Sequence, residues 1–231
     1  MTERRPEQIP VPDRSDLRLT IIEPESVVRG GIVVCHEARG VTDAVRRVAD
    51  GLAIEGWLAV VPYLYHRDSP NDQSVVDEDV HCHLARLSVD SVLADVDAAL
   101  CWLAGRGIAT DRMGVVGFGL GGTVALLVAT CRQLGAAVTV DGIGVVRPVS
   151  PALPALVEVA PELRCPWLGV YGGDDLVPEV EVDKLRDAAH SAQVATDLVH
   201  LTRGGYRGST AQAAAVEAWT RTLNWFDSHL R

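Results

Sequence analysis

Long apolar runs are missing from this sequence: no stretch reaches the roughly 18 uninterrupted apolar residues that a membrane span needs. The opening segment MTERRPEQIPVPDR is charged and broken by prolines, without the apolar core of a secretory signal. The chain is therefore expected in the cytoplasm. Positive charge is in deficit, with 21 Lys and Arg against 31 Asp and Glu and a formal net charge of −10. That balance repels phosphate backbones and anionic lipid surfaces, so neither nucleic acid nor membrane is an expected partner. The five cysteines (Cys35, Cys82, Cys101, Cys131, Cys165) are odd in number, scattered and without a Cys-x-x-Cys pair. They are expected as reduced thiols rather than as a zinc or redox centre. With only two Phe and two Met, the core must be built from small and branched aliphatic side chains.

What is present is an alternation of short β-branched runs with segments of helical period, the signature of a mostly parallel sheet covered by helices. The expected strands are 17–23, 31–35, 57–61, 113–117, 136–141, 167–171 and 194–200, several of them apolar throughout, as strands buried on both faces should be. Val45, Val48, Ala49, Leu52 and Ala53 mark one face of a helix ending near Gly56. Val89, Val92, Leu93, Val96, Leu100 and Leu103 mark a longer one. Residues 123–134 predict a third helix, apolar almost all round and hence buried, and 179–190 and 211–230 two more. At 231 residues and 48% apolar content, the chain fits one α/β domain spanning residues 1–231, a three-layer α/β/α sandwich. The proline-rich stretch 147–166 reads as an excursion over the sheet.

Residues 113–129, MGVVGFGLGGTVALLVA, form the most informative segment: a buried strand, a glycine-rich turn and a buried helix. This is the layout of a nucleophile elbow, whose strained turn lifts one side chain above the carboxyl edge of the sheet. In G-x-Nuc-x-G the nucleophile is central, and here Gly117-Phe118-Gly119-Leu120-Gly121 puts Gly119 there. Glycine supplies no attacking atom. The same glycines also spell G-x-G-x-x-G, and Asp141 ends the next strand, so a nucleotide-binding turn is the competing reading. Against it, a dinucleotide unit usually opens its domain, whereas this turn follows about half the sheet.

Three blocks resemble the dienelactone hydrolase family of α/β-hydrolases. VVCHEARGVTDAVRRVADGLAIEGWLAVVPYLYHR (33–67) is similar to its strand, His-Glu, helix, small-Glu-Gly turn, strand and Pro-x-Leu-Tyr. GFGLGG (117–122) is similar to its G-x-C-x-G-G with the cysteine replaced, and PWLGVYGGDDLVP (166–178) to its apolar strand, Gly-x-x-Asp and Val-Pro. The resemblance covers roughly residues 10–230 and implies an α/β-hydrolase fold. It implies that Glu37 is the glutamate that meets the resting cysteine, and that the backbone amides of Ala38 and Leu120 are the oxyanion-hole donors. The acid is Asp175 counted from Tyr171-Gly172, or Asp174 counted back from Val177-Pro178, with Asp175 preferred. Where the family carries histidine, Gly205 or Tyr206 stands.

These substitutions predict an ester or lactone hydrolase scaffold with a degenerate triad, impaired or inactive, that keeps a pocket for a small acidic or carbonyl-containing ligand. Without nucleophile and base, the acyl-enzyme route is closed. The rival expectation is an active enzyme that uses Tyr206, Glu37 and Asp175 in acid/base chemistry on a carbonyl compound. Arg203 and Arg207 are candidate carboxylate anchors, and Arg86 is a weaker one. Cys35 and His36 adjoin the oxyanion loop, but strand alternation sends them to opposite faces. His81-Cys82-His83, after Asp77, Glu78 and Asp79, reads as a solvated loop rather than a metal site, and His200 as a structural histidine. No cofactor and no metal are expected.

Overall fold

The computed structural model describes residues 4–13, 15–68, 77–172, 177–201 and 211–231. Its sheet is built from β1 (Arg4–Pro10), β2 (Asp16–Ile22), β3 (Gly30–Cys35), β4 (Trp57–Pro62), β5 (Met113–Phe118), β6 (Ala136–Val140), β7 (Trp167–Tyr171) and β8 (Thr196–His200). Across the sheet they run β1-β2-β4-β3-β5-β6-β7-β8. The pairs β4-β3, β3-β5, β5-β6, β6-β7 and β7-β8 are parallel, whereas β1-β2 and β2-β4 are antiparallel. Every residue of β3, β4, β6 and β7 is buried, because helices cover both faces of a parallel sheet and leave no wet side.

The helices are α1 (Asp43–Ile54), α2 (Asp77–Arg86), α3 (Val89–Gly105), α4 (Leu120–Cys131), α5 (Leu156–Val159), α6 (Glu179–His190) and α7 (Ala211–His229). Alternation along β3 divides the core in two. Val33 and Cys35 face the cluster made with α3, α4 and α6, while Ile32 and Val34 face α1 and α7. Thr42 caps α1, and the reciprocal Ser88–Ser91 capping box starts α3, each pair satisfying amide donors that a helix start leaves open. Gly56, at φ +91°, turns the chain from α1 into β4.

Two expectations are corrected, and one strand is added to those read from the sequence. The proline-punctuated N-terminus forms the edge strand β1, since an edge tolerates prolines that cannot donate to a ladder. The stretch around His81-Cys82-His83 is helix α2, not a loop; Val80, Leu84 and Leu87 follow a helical i, i+4, i+7 spacing and pack on the core. The helix after β5 begins at Leu120 rather than Thr123. Its glycines belong to the helix because its first turn lies against neighbouring backbone: a Cβ on Gly121 would stand 2.1 Å from the Cys35 carbonyl oxygen. The excursion at 147–166 carries α5 and a 3₁₀ turn, Ala160–Glu162.

Candidate functional site

The order β4-β3-β5 places the reversal of sheet growth between β3 and β5, and a parallel sheet offers its ligand crevice at the carboxyl ends flanking such a switch point. Two loops leave from there: 36–40 after β3 and the turn at Gly119 after β5. Cys35 pairs with Gly117, so two residues further along each chain stand Glu37 and Gly119.

Gly119 has φ +54° and ψ −114° and precedes α4 with no side-chain cap. This is a backbone state that side-chain-bearing residues enter only under strain. A Cβ added there would nonetheless meet no described atom within 4 Å. The turn is fixed on both sides, the Gly119 amide donating to the Val140 carbonyl at 3.0 Å and its own carbonyl accepting from Thr123 at 3.2 Å. Gly117 and Gly121 serve the protein's own packing: a Cβ on Gly117 would come 1.9 Å from the Gly121 carbonyl oxygen.

The loop 36–40 is braced from several directions. The Glu37 carboxylate accepts at Oε1 from the Thr42 hydroxyl, 2.9 Å away, and a bridge joins Glu37 to Gly40. His36 is buried; its Nε2 accepts the Leu64 amide at 3.0 Å, which leaves Nδ1 to donate to the Glu37 carbonyl at 2.7 Å. Burial pushes its imidazole down to about 4, so the ring is a neutral strut with a fixed tautomer. The Tyr65 hydroxyl donates to the Ala38 carbonyl at 3.0 Å, with its ring edge-on to His36 and stacked on His83. Behind Tyr65, fully buried Asp95 accepts two bonds from Arg67, at 2.7 and 2.8 Å, and meets His66 Nε2 at 3.1 Å. Arg67 also grips Asp13 at 2.5 Å.

The dienelactone hydrolase family model matches residues 17–230. The chain belongs to the dienelactone hydrolase family. Among its relatives, a Salmonella typhimurium protein described as "Putative carboxymethylenebutenolidase" is 34% identical over 206 residues, covering 84% of this chain and 76% of that one. A Rhodococcus opacus protein described as "Carboxymethylenebutenolidase" is 28% identical, covering 86% and 81%. The crystal structure of a "Putative Dienelactone Hydrolase" from Klebsiella pneumoniae superposes with a TM-score of 0.83 at 28% identity, over 97% of this chain and 99% of that one.

Of the family positions expected from the sequence, Glu37, Ala38, Gly119 and Leu120 come together at the switch point. Asp174, Asp175, Arg203, Tyr206 and Arg207 lie outside the described residues. Arg86 is engaged elsewhere, donating to Asp68 at 3.0 Å, and His83 contacts the same carboxylate at 3.2 Å. Cys35 is buried toward α3 and α4, where desolvation, with a smaller contribution from Asp95, pushes its thiol up to about 12. It is a poor nucleophile at neutral pH. Among the described residues, no group of three or more His, Cys, Asp and Glu could hold a metal ion, and no helix is long and apolar enough to cross a membrane. His200 pairs with Tyr171 at the ends of β8 and β7, and its buried Nδ1 has no hydrogen-bond partner among the described residues.

Two features escaped the sequence reading of the site. Asp141 has φ +47°, the one positive value at a described non-glycine residue, and its Oδ1 accepts the Gly172 amide at 2.9 Å. The Asp141-Gly142 pair is a turn signal that could have flagged it, since aspartate tolerates left-handed backbone. The second is a groove of about 650 Å³ between α1, α7 and the ends of β5, β6 and β7. Phe118, Val140, Val170, Val48 and Trp219 give it apolar walls, and Asp141 is among its polar residues. Its volume is that of a small-molecule site, and it begins one residue before Gly119.

Proposed function

We propose that this protein is an ester or lactone hydrolase by descent that has lost its family's covalent route and keeps a pocket for a small carbonyl-containing or acidic ligand. The observation that carries this reading is Gly119: the turn retains the strained backbone of an elbow, with room for a side chain, yet presents none. No acyl-enzyme can form without an attacking atom. The amides of Ala38 and Leu120 remain as donors for a ligand oxygen, supported by the N-terminus of α4. The adjoining groove would take the apolar part of the ligand. Gly205 or Tyr206, where the family pattern has histidine, removes the base as well, and the joint loss argues for a settled change of role. Arg203 and Arg207 are the side chains proposed to meet an acidic ligand, and Asp175 is the acid left from the triad.

The test compares hydrolysis of p-nitrophenyl acetate and a dienelactone by the unmodified chain and by its Gly119→Cys, Tyr206→His double variant. The double variant is expected to exceed the unmodified chain at least about a thousandfold, the scale on which triad loss acts elsewhere. Turnover by the unmodified chain at the double variant's rate, with a burst of released nitrophenol, would end this reading.

A further inference from the structure

A side chain is not the only group that can attack a carbonyl from the space above Gly119. We propose, resting on the reading above, that a water molecule takes the nucleophile's place and that Glu37 is its general base, giving a slow one-step hydrolysis restricted to enol and aryl esters or lactones.

Three observations carry this. First, the position of a Cβ on Gly119 is clear of described atoms to 4 Å, so a ligand carbonyl held by the neighbouring amides has room for a water beside it. Second, the Glu37 backbone is close by: β3 and β5 pair as far as Cys35 and Gly117, two residues before Glu37 and Gly119, and the first turn of α4 touches the Cys35 and His36 carbonyls, as the 2.1 and 2.7 Å approaches of a Cβ on Gly121 show. Third, the carboxylate is held in a defined pose. Thr42 spends its proton on Glu37 Oε1 at 2.9 Å and a lone pair on the Val45 amide at 3.4 Å. Among the described residues none donates to Oε2. The His36 and Tyr65 bonds keep the backbone beneath it from shifting.

In the step itself, Glu37 takes one proton from water as the water oxygen bonds to the carbonyl carbon. The C=O π pair moves onto the carbonyl oxygen, where the Ala38 and Leu120 amides receive it. The pair returns and the C–O bond to the leaving group breaks with its electrons, so that the oxygen departs as an anion and takes its proton from solvent, to which Glu37 gives up the one it gained. Water and ester become acid and alcohol, with the carboxylate restored. The substrate class follows from what is missing. With Gly205 or Tyr206 where the family pattern has histidine, that position supplies no imidazolium to protonate a departing alkoxide, so only an oxygen of low proton affinity, that of an enol or a phenol, leaves readily.

The experiment measures kcat/KM for acetate esters of phenols of increasing pKa, and for ethyl acetate, with the unmodified chain and with Glu37→Gln. Glutamine keeps an oxygen for the Thr42 hydroxyl, and matching melting temperatures confirm that the fold is retained. The expected result is burst-free turnover of the aryl esters that falls steeply as the phenol becomes less acidic, is absent for ethyl acetate, and drops about a hundredfold in Glu37→Gln. Should Glu37→Gln fail to fold, Glu37→Asp serves instead, with the same sign expected. Equal rates in variant and unmodified chain overturn the proposal. So does an absence of turnover above buffer, which leaves the pocket reading of the preceding section standing; a nitrophenol burst at the rate of the double variant overturns both.

Discussion

At Gly117 an added Cβ would sit 1.9 Å from a backbone oxygen, whereas at Gly119, two residues on, it would meet no described atom within 4 Å. The first glycine is demanded by packing, because β5 must pass under the opening turn of α4 with no side chain between them. The second is demanded by no described neighbour and is favoured by its positive φ. Glycines that look alike in a string thus report different things: one a steric necessity of the scaffold, the other a position where chemistry was free to change.

The sharpest way to break this comparison is to give each glycine a methyl group. Gly117→Ala is expected to lose more than about 4 kcal/mol, the range of severe overpacking, and to yield little folded protein on urea denaturation. A smaller effect tests the braces around the site. His36 is neutral when folded, at about 4, but titrates near 6.5 when unfolded. Between these values the unfolded chain binds more protons, so stability is complete above about pH 6.5 and is lost as pH falls to about 4, by roughly 3 kcal/mol. Urea midpoints across that window should show this slope, and His36→Gln should flatten it. Gly119→Ala, which strains φ but meets no described atom, should cost only about 2 kcal/mol; a loss equal to that of Gly117→Ala would erase the distinction between the two glycines. Tyr65→Phe, which removes one bond to the Ala38 carbonyl, should cost about 1 kcal/mol, visible as a modest fall in melting temperature.

Much of this was legible before any coordinates. Strands such as 113–117 and 167–171 announce themselves because burial on both faces makes them uniformly apolar, and the elbow is a local pattern whose parts are sequence neighbours. The braces were not legible. Asp95 lies 28 residues from Arg67, and nothing in either segment announces that a buried carboxylate meets a guanidinium there. Tyr65 was visible only as the end of a family motif; its bond to Ala38, 27 residues earlier, depends on β3 and β4 lying side by side. α2 was misread because its polar residues drew attention from a three-residue apolar stripe. Asp141 hid in plain view, since a strained φ is a property of the fold and leaves only a weak trace in residue type.

The prolines of β1 bear on how the protein behaves when crowded. β1 pairs with β2 alone, and a proline cannot supply a ladder donor, so positions 6, 8 and 10 turn their nitrogens outward. Along that stretch the free margin offers one N–H, that of Gln8, between two tertiary amides. A second chain arriving edge to edge finds few donors to bond, and the margin carries the ion pairs Arg4–Asp50 and Arg5–Glu7. This proline-punctuated strand thereby acts as a stop against open-ended stacking into fibrils.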